Sequence, residues 1–361
     1  MQLKILDLTR VLAGPVCSMS LGDMGANVIK VERPGTGDET RGWGPPFDAE
    51  GQSAYFLAVN RNKKSIAADL ADEGDRDLIL DLIREADVVL DNFLVGSLER
   101  LGFDPDELLE KYPSLIWCTI SGFGAESTRP GYDFVIQAEC GWMAITGESD
   151  GSPMKIGVAL ADVIGGKDAA VAILGAIADR VDGAQSAKKR RINISLADSA
   201  RAALVNVAQN VLVSGSDAKR WGNAHPNLVP YQLFEAADRP FVIAVGSDGQ
   251  WYACAKALGL RDLAEDEALR TNAGRVEHRE RIVSALAQRV SERGAEHWID
   301  RLQAVGVPCG LVRTVTEVLE VTHADPRTGV PPSVPGSVRF PPPKLDEHGE
   351  SIRTLGWRAF G

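Results

Sequence analysis

The sequence predicts an α/β fold in which a parallel sheet covered on both faces is accompanied by a second, smaller α+β domain. Three observations lead there. Strand-like runs alternate with helical periodicities over roughly the first 200 residues. Runs such as DVVLDNF and SLIWCTISGFG are apolar on both alternating faces, as strands of a parallel sheet must be. Around GNAHPNLVPYQLF the texture changes to short strands, turns and helices.

KILDLT alternates and runs into AGPVCSMSLGDMGANVIKVERPGTGD, which reads as strand, helix and strand, with Gly25 ending the helix and Pro34-Gly35 ending the second strand. SIAADL, DRDLILDLIREA and DVVLDNF repeat the cycle, the helix marked by Leu78, Leu82 and Ile83. GSLERLGFDPDELLEKYP is helical with breaks and SLIWCTISGFG is a buried strand. From Asp162 to about Arg180 a long helix is apolar all round and is expected between layers. The basic run Lys188 to Arg191 reads as a solvated turn before another strand and helix. Residues 201–315 are expected to form linker helices and the small domain, while 1–200 and 316–361 form the large one. The tail, PPSVPGSVRFPPPKLDEHGESIRTLGW, is too rich in proline for a continuous helix and is expected to wrap across another surface.

Composition narrows the function. With 44% hydrophobic and 25% charged residues in a chain of 361, this is an ordinary globular composition, long enough for about two domains. A net charge of -11 opposes general attraction to nucleic acid or an anionic membrane. The longest apolar stretch, Ala169 to Ala178, falls short of the roughly 18 residues a membrane span needs. Asp7 and Arg10 interrupt any signal-peptide core, so a cytoplasmic location is expected. Cys17, Cys118, Cys140, Cys254 and Cys309 form no CxxC pair and read as buried thiols. His225, His278, His297, His323 and His348 form no HxxxH pair, so no metal site is expected.

Nucleotide motifs fail on inspection. A dinucleotide fingerprint needs GxGxxG after the first strand, where only Gly14 stands before Pro15. The pair in GTGD, residues 35–38, follows the second strand and reads as a turn. Gly166-Lys167 lacks the glycine and hydroxyl residue of a P-loop, since Ala161 and Asp168 occupy those places. There is no GxSxG elbow. One carboxylate stands out: Asp162 lies where a short apolar run becomes the long helix. Position alone leaves two readings, a helix cap or a nucleophile.

Several stretches in order resemble class III coenzyme A transferases, the CaiB/BaiF or formyl-CoA transferase family. They are LDLTRVLAGPVCSMSLGDMGANVIKVERPGTGDETRGW, NRNKKSIAADL, DNFLVGSLERLGF, SGFGAESTRPGYDFVIQAECGWMAITG, PMKIGVALADVIGGKDAAVAILGAIADR and GNAHPNLVPYQLF. The resemblance implies a Rossmann-like large domain, a small domain and an interlocked homodimer. It also implies transfer of CoA from an acyl-CoA donor to a free carboxylic acid, with CoA as substrate and no permanently bound cofactor. The family's nucleophile follows a K-x-G-x-x-x-x-D pattern, matched by Lys155, Gly157 and Asp162. At the first turn of a helix, oriented N–H groups would keep that carboxylate ionised.

Carried over position by position, CoA contacts are expected at Val11, Arg33, Asn62, Lys63, Asn92, Phe93, Arg100, Leu101 and Tyr132. Arg33, Lys63 and Arg100 would meet the phosphates, and Phe93 and Leu101 the adenine or pantetheine. Acceptor specificity would come from Tyr132, Trp142, His225 and the 246–250 loop, with Gly246, Gly249 and Gln250. Two departures stand out. Leu12 replaces a glutamine of formyl-CoA transferase, leaving the oxyanion to backbone N–H groups. The family's glycine run is here the looser Gly246-Ser247-Asp248-Gly249-Gln250. The family's α-methylacyl-CoA racemases carry a GHD block where this chain has Gly131-Tyr132-Asp133, and a phenol is a poor proton shuttle near neutral pH. A racemase-like isomerase and a catalytically silent acyl-CoA binder are the alternatives.

Overall fold

The computed structural model describes residues 3–180 and 187–361. The chain divides into two compact units, one of Met1–Met143, Lys155–Asp217 and Thr322–Gly361, the other of Ala144–Met154 and Ala218–Val321. In chain order the first elements are β1 (Lys4–Asp7), α1 (Ala13–Asp23), β2 (Asn27–Glu32), α2 (Ala54–Leu57), β3 (Lys63–Ala67), α3 (Glu73–Glu85), β4 (Val88–Asp91) and α4 (Pro105–Lys111). There follow β5 (Ile116–Ser121), α5 (Asp133–Glu139), α6 (Trp142–Ile145), α7 (Leu160–Arg180), α8 (Ala187–Arg190), β6 (Arg191–Ser195), α9 (Leu196–Ala202) and α10 (Val205–Ser214).

The six strands form one parallel sheet of order β3-β2-β1-β4-β5-β6. Side chains alternate across it, so each strand feeds two cores. Ile5, Val88, Leu90 and Cys118 pack with Cys17, Leu21, Ile173 and Leu196 on one face. Leu6, Val89 and Trp117 pack with Ile79, Leu82, Ile83 and Leu109 on the other. Burial on both faces is why these strands read as continuous apolar runs. Aspartates set the helix starts: Asp72 accepts from the Asp75 N–H, and Asp104, ahead of Pro105, accepts from Asp106 and Glu107. The strand order reverses beside β1, so the loops after β1 and β4 diverge and open a crevice at the carboxyl edge.

Two local expectations are corrected. The long helix α7 buries Ala169 and Ile173 but leaves Val171 69% exposed, so one side of it is uncovered. The basic run is not a solvated turn: it forms α8 and the start of β6, because Arg190 is buried with its guanidinium on the Leu109, Tyr112 and Leu115 carbonyls and Arg191 donates to Thr119 Oγ1. The Lys188 side chain lies outside the described residues.

The second unit holds β7 (Tyr231–Glu235), β8 (Pro240–Ala244) and β9 (Cys309–Leu311) as an antiparallel sheet of order β7-β8-β9. With it go α11 (Asp248–Ala257), α12 (Arg261–Ala264), α13 (Asn272–Glu277), α14 (Arg279–Val290), α15 (Ala295–Gln303) and α16 (Val315–Thr322). Its core gathers Phe241, Ile243, Trp251, Trp298 and Leu302. The proline-rich tail, ending in α17 (Gly349–Leu355), runs over the first unit: Arg339 donates to the Gly22 carbonyl and Trp357 Nε1 to that of Leu82. Among the described residues no helix is long and apolar enough to cross a membrane.

Candidate active site

The loop after β1 is held by side chains at each step. Thr9 N–H and hydroxyl donate to Asp7 Oδ1, and Lys30 Nζ donates to the Thr9 carbonyl at 2.8 Å. Asn92, just after β4, accepts from Arg10 N–H at 3.0 Å and donates to the Arg10 carbonyl at 2.8 Å. Val11 N–H donates to the two oxygens of Asp38 at 3.3 and 3.2 Å. So held, Val11 sits at φ 71°, a region β-branched residues rarely occupy.

This loop forms part of the wall of a cleft of about 330 Å³. Val11, Leu12, Ala13, Asn92, Phe93, Tyr132 and Asp162 all line it. Arg10 and Phe93 also line a second cavity of about 190 Å³. That cavity contains Arg33 and Leu101 as well. The Arg10 guanidinium lies over the Phe93 ring, 5.5 Å from its centroid, and pairs with Glu39.

Asp162 is the third residue of α7, only 7% exposed, and its carboxyl has no hydrogen-bond partner among the described residues. The cap is another group: Asp133 Oδ1 accepts the Ala161 N–H at 2.8 Å, while Asp133 Oδ2 accepts from Gln137 Nε2. The expectation that helix N–H groups keep Asp162 readily ionised is therefore corrected. Burial, followed by the nearby charge of Asp133, pushes its carboxyl up to about 7. A carboxylate with no partner and little water around it is a better nucleophile than a solvated one.

The remaining sequence-derived positions divide. Arg33 is exposed at the second cavity, and its guanidinium makes no ion pair among the described residues. Leu101 packs at the edge of a core cluster beside the same cavity. Tyr132 is 59% exposed at the cleft. Arg100 is exposed, donates to Ser97 Oγ and lines neither cavity.

Asn62 and Lys63 face inward, which corrects the expectation of CoA contacts by their side chains. Asn62 bonds Asp23 and the Ser337 carbonyl. The Lys63 ammonium is fully buried on Asp7, Asn60 and the Pro15 carbonyl, so its charge answers an internal carboxylate rather than a phosphate. Trp142 is likewise a core residue, 4% exposed, with Nε1 on the Ala200 carbonyl.

His225, Gly246, Gly249 and Gln250 belong to the second unit. His225 Nδ1 accepts from Asn227 N–H, and its ring lies 5.1 Å from that of Tyr231. The 246–250 stretch is largely a helix start rather than a loose loop: Ser247 caps α11 through Gln250 N–H, and Gln250 Oε1 accepts from Gly246 N–H.

Three residues that matter to the cleft were not singled out from the sequence. Asp38 lay in a stretch read as a turn. Lys30 lay inside a strand. Tyr55 stacks edge-on against Trp43, and its phenol is pushed up by burial and then by Asp162, Asp133 and Asp38. A lysine in a strand apolar on both faces is the signal that could have exposed the network, since a buried ammonium needs a counter-charge. No group of three or more His, Cys, Asp or Glu among the described residues is placed to hold a metal ion.

A Rossmann-type sheet with a carboxylate in the crevice at its strand ends marks a ligand-binding α/β protein. The comparisons give its family: residues 1–348 match the model of CoA-transferase family III, and the chain belongs to that family. It is 39% identical to succinyl-CoA:glutarate CoA-transferase of Mus musculus over 97% of this chain and 84% of that protein. It is 36% identical to acetyl-CoA:oxalate CoA-transferase of Acetobacter aceti over 97% and 94%. A CaiB/BaiF family protein from Brucella suis superposes with a TM-score of 0.83 at 41% identity, covering 98% of this chain and 97% of that one.

Proposed function

We propose that this protein transfers CoA from an acyl-CoA, in the first instance succinyl-CoA, to a short dicarboxylic acid, with Asp162 as the covalent carrier. The observation that carries this is the buried, unpartnered Asp162 carboxyl in the cleft that also holds Val11, Asn92, Phe93 and Tyr132. The substrate class rests on the relatives, whose names give succinyl-CoA with glutarate, mesaconate or citramalate, and acetyl-CoA with oxalate.

The Asp162 carboxylate adds to the thioester carbonyl, and collapse of the adduct breaks the C–S bond to give a mixed anhydride and CoA thiolate. The thiolate attacks the aspartyl carbonyl, releases the donor acid and leaves an aspartyl-CoA thioester. The acceptor carboxylate then repeats the sequence in reverse: it displaces CoA to form its own anhydride with Asp162, and the thiolate attacks the acceptor carbonyl, restoring the free carboxylate. One thioester replaces another, so little free energy separates the ends, and exclusion of water prevents loss of the anhydride. With Leu12 where a glutamine amide would serve, the oxyanion falls to backbone N–H groups of Leu12 and Ala13, which line the cleft. Arg33 and Leu101 at the second cavity suit the phosphates and adenine of CoA.

The active species is proposed to be a homodimer: α10 buries none of its residues and exposes Val205, Leu212 and Val213, an apolar face that association would cover. Light scattering tests that. The activity is tested by incubating the protein with succinyl-CoA and a panel of acids, following new thioesters by mass spectrometry and searching for CoA attached at Asp162. No new thioester with any acid would refute the reading, and racemisation of a chiral 2-methylacyl-CoA in a separate incubation, read by chiral separation, would favour an isomerase.

A further inference from the structure

Two buried charges, Lys30 and Asp38, line the second cavity beside the cleft and take no part in the covalent steps proposed above. Lys30 and Asp38 are 0% and 1% exposed, and Lys30 Nζ reaches Asp38 Oδ2 at 2.9 Å. The same ammonium holds the Thr9 carbonyl, and the same carboxylate holds the Val11 N–H and the Thr40 N–H and hydroxyl. One ion pair thus grips the β1–α1 loop at two points, two residues apart.

A salt bridge this deep is weak evidence for stability alone, because removing both charges from water opposes the attraction between them. Its geometry suits a different role. Val11 is held at φ 71°, which a β-branched side chain disfavours, by the acceptor that Asp38 supplies. Directly after it, Leu12 and Ala13 enter the wall of the cleft that contains Asp162. Burial alone would raise the Asp38 carboxyl, but Lys30 and the Thr40 N–H outweigh it and hold it below the usual carboxylate range, so the pair stays charged at neutral pH.

We propose that Lys30 and Asp38 are positioning residues for CoA transfer: as an ion pair they fix Thr9 and Val11 so that the Val11–Ala13 wall meets the reacting thioester beside Asp162. The inference rests on reading that cleft as the transfer site. Displacement of a reacting surface by about 1 Å can cost on the order of 100-fold in rate. Asp38→Ala and Lys30→Met are therefore expected to lower kcat for succinyl-CoA and glutarate by roughly 30- to 100-fold; both residues also line the cavity assigned to CoA, and the rise in KM for the acyl-CoA is expected to be smaller than the fall in kcat. Asp38→Asn, which keeps an oxygen for Val11, serves if Asp38→Ala does not fold, with an expected loss of roughly tenfold in kcat and again a smaller rise in KM.

The control is Ile79→Ala, a core truncation in α3 that lines neither cavity and is expected to lower thermal stability without changing kcat per folded molecule. Hydrogen exchange of the backbone amides over residues 9–16 is measured on the same proteins. Exchange there is expected to rise in Asp38→Ala and Lys30→Met and to stay at the wild-type rate in Ile79→Ala. If the pair variants behave like Ile79→Ala in both kcat and local exchange, the proposal is overturned. If wild type transfers CoA to no acid, the reading of the cleft falls instead, and the exchange measurement still decides whether the pair holds the loop.

Discussion

Replacing Asp162 by Asn separates the nucleophile from its surroundings, and two quantities should move in opposite directions. Asn has nearly the same shape and stays neutral at every pH. A carboxyl whose pKa rises from 3.8 to about 7 on folding opposes the folded state, above pH 7, by about 4 kcal/mol at 1.36 kcal/mol per pH unit. The Asn amide finds no partner at this position either, which returns about 1 to 3 kcal/mol of that gain. The variant should therefore be more stable than wild type by about 1 to 3 kcal/mol at pH 8, a rise of roughly 1 to 2 °C in Tm per kcal/mol for a chain of 361 residues.

The pH dependence identifies the cause. Below 3.8 the carboxyl is protonated in both folded and unfolded chains, so only the cost of the amide remains and the variant is there less stable than wild type by about 1 to 3 kcal/mol. The difference shifts in the variant's favour as pH rises from 3.8, reverses sign, and is complete above about 7, where the folded wild type must also ionise. Differential scanning fluorimetry of the pair across that range, beside the CoA exchange assay, reads both effects. Exchange should fall at least about a thousandfold, the scale for loss of a covalent nucleophile. An Asp162→Asn variant that kept wild-type activity would refute the chemistry, and a stability gap of constant size at all pH values would refute the buried charge.

In wild type, kcat/KM for the acyl-CoA should rise with pH along a one-proton limb centred near 7, because only the ionised Asp162 attacks. Asp133→Asn should move that limb to lower pH by removing the neighbouring charge while an oxygen remains for the Ala161 N–H, and initial rates between about pH 5 and pH 9 check both. Arg33→Ala should raise KM for acyl-CoA roughly tenfold with kcat within about twofold, and calorimetry of free CoA binding should show the same loss. Trp142→Ala should destabilise by about 3 to 5 kcal/mol in urea unfolding, with kcat of the folded fraction unchanged, as befits a core side chain.

What the sequence could convey follows from which interactions are local. The parallel sheet was legible because each strand buries both faces, so Val88, Val89 and Leu90 must all be apolar wherever the neighbours come from. The start of α7 was legible too, but not the division of labour there. Asp162 and Asp133 are both acidic, and only the fold shows that Asp133 takes the Ala161 N–H and leaves Asp162 without a partner. The lysines show the limit most sharply. Lys30 and Lys63 each stand in a strand of the sheet, and a charge there must meet either an internal carboxylate or a ligand. Their partners lie at quite different distances along the chain, Asp38 eight residues from Lys30 and Asp7 fifty-six from Lys63. Local pattern does not choose between those outcomes. Family position assigned Lys63 to CoA and passed over Lys30, whereas the tertiary contacts make Lys63 an internal counter-ion and place the Lys30 pair against the loop that forms the cleft wall.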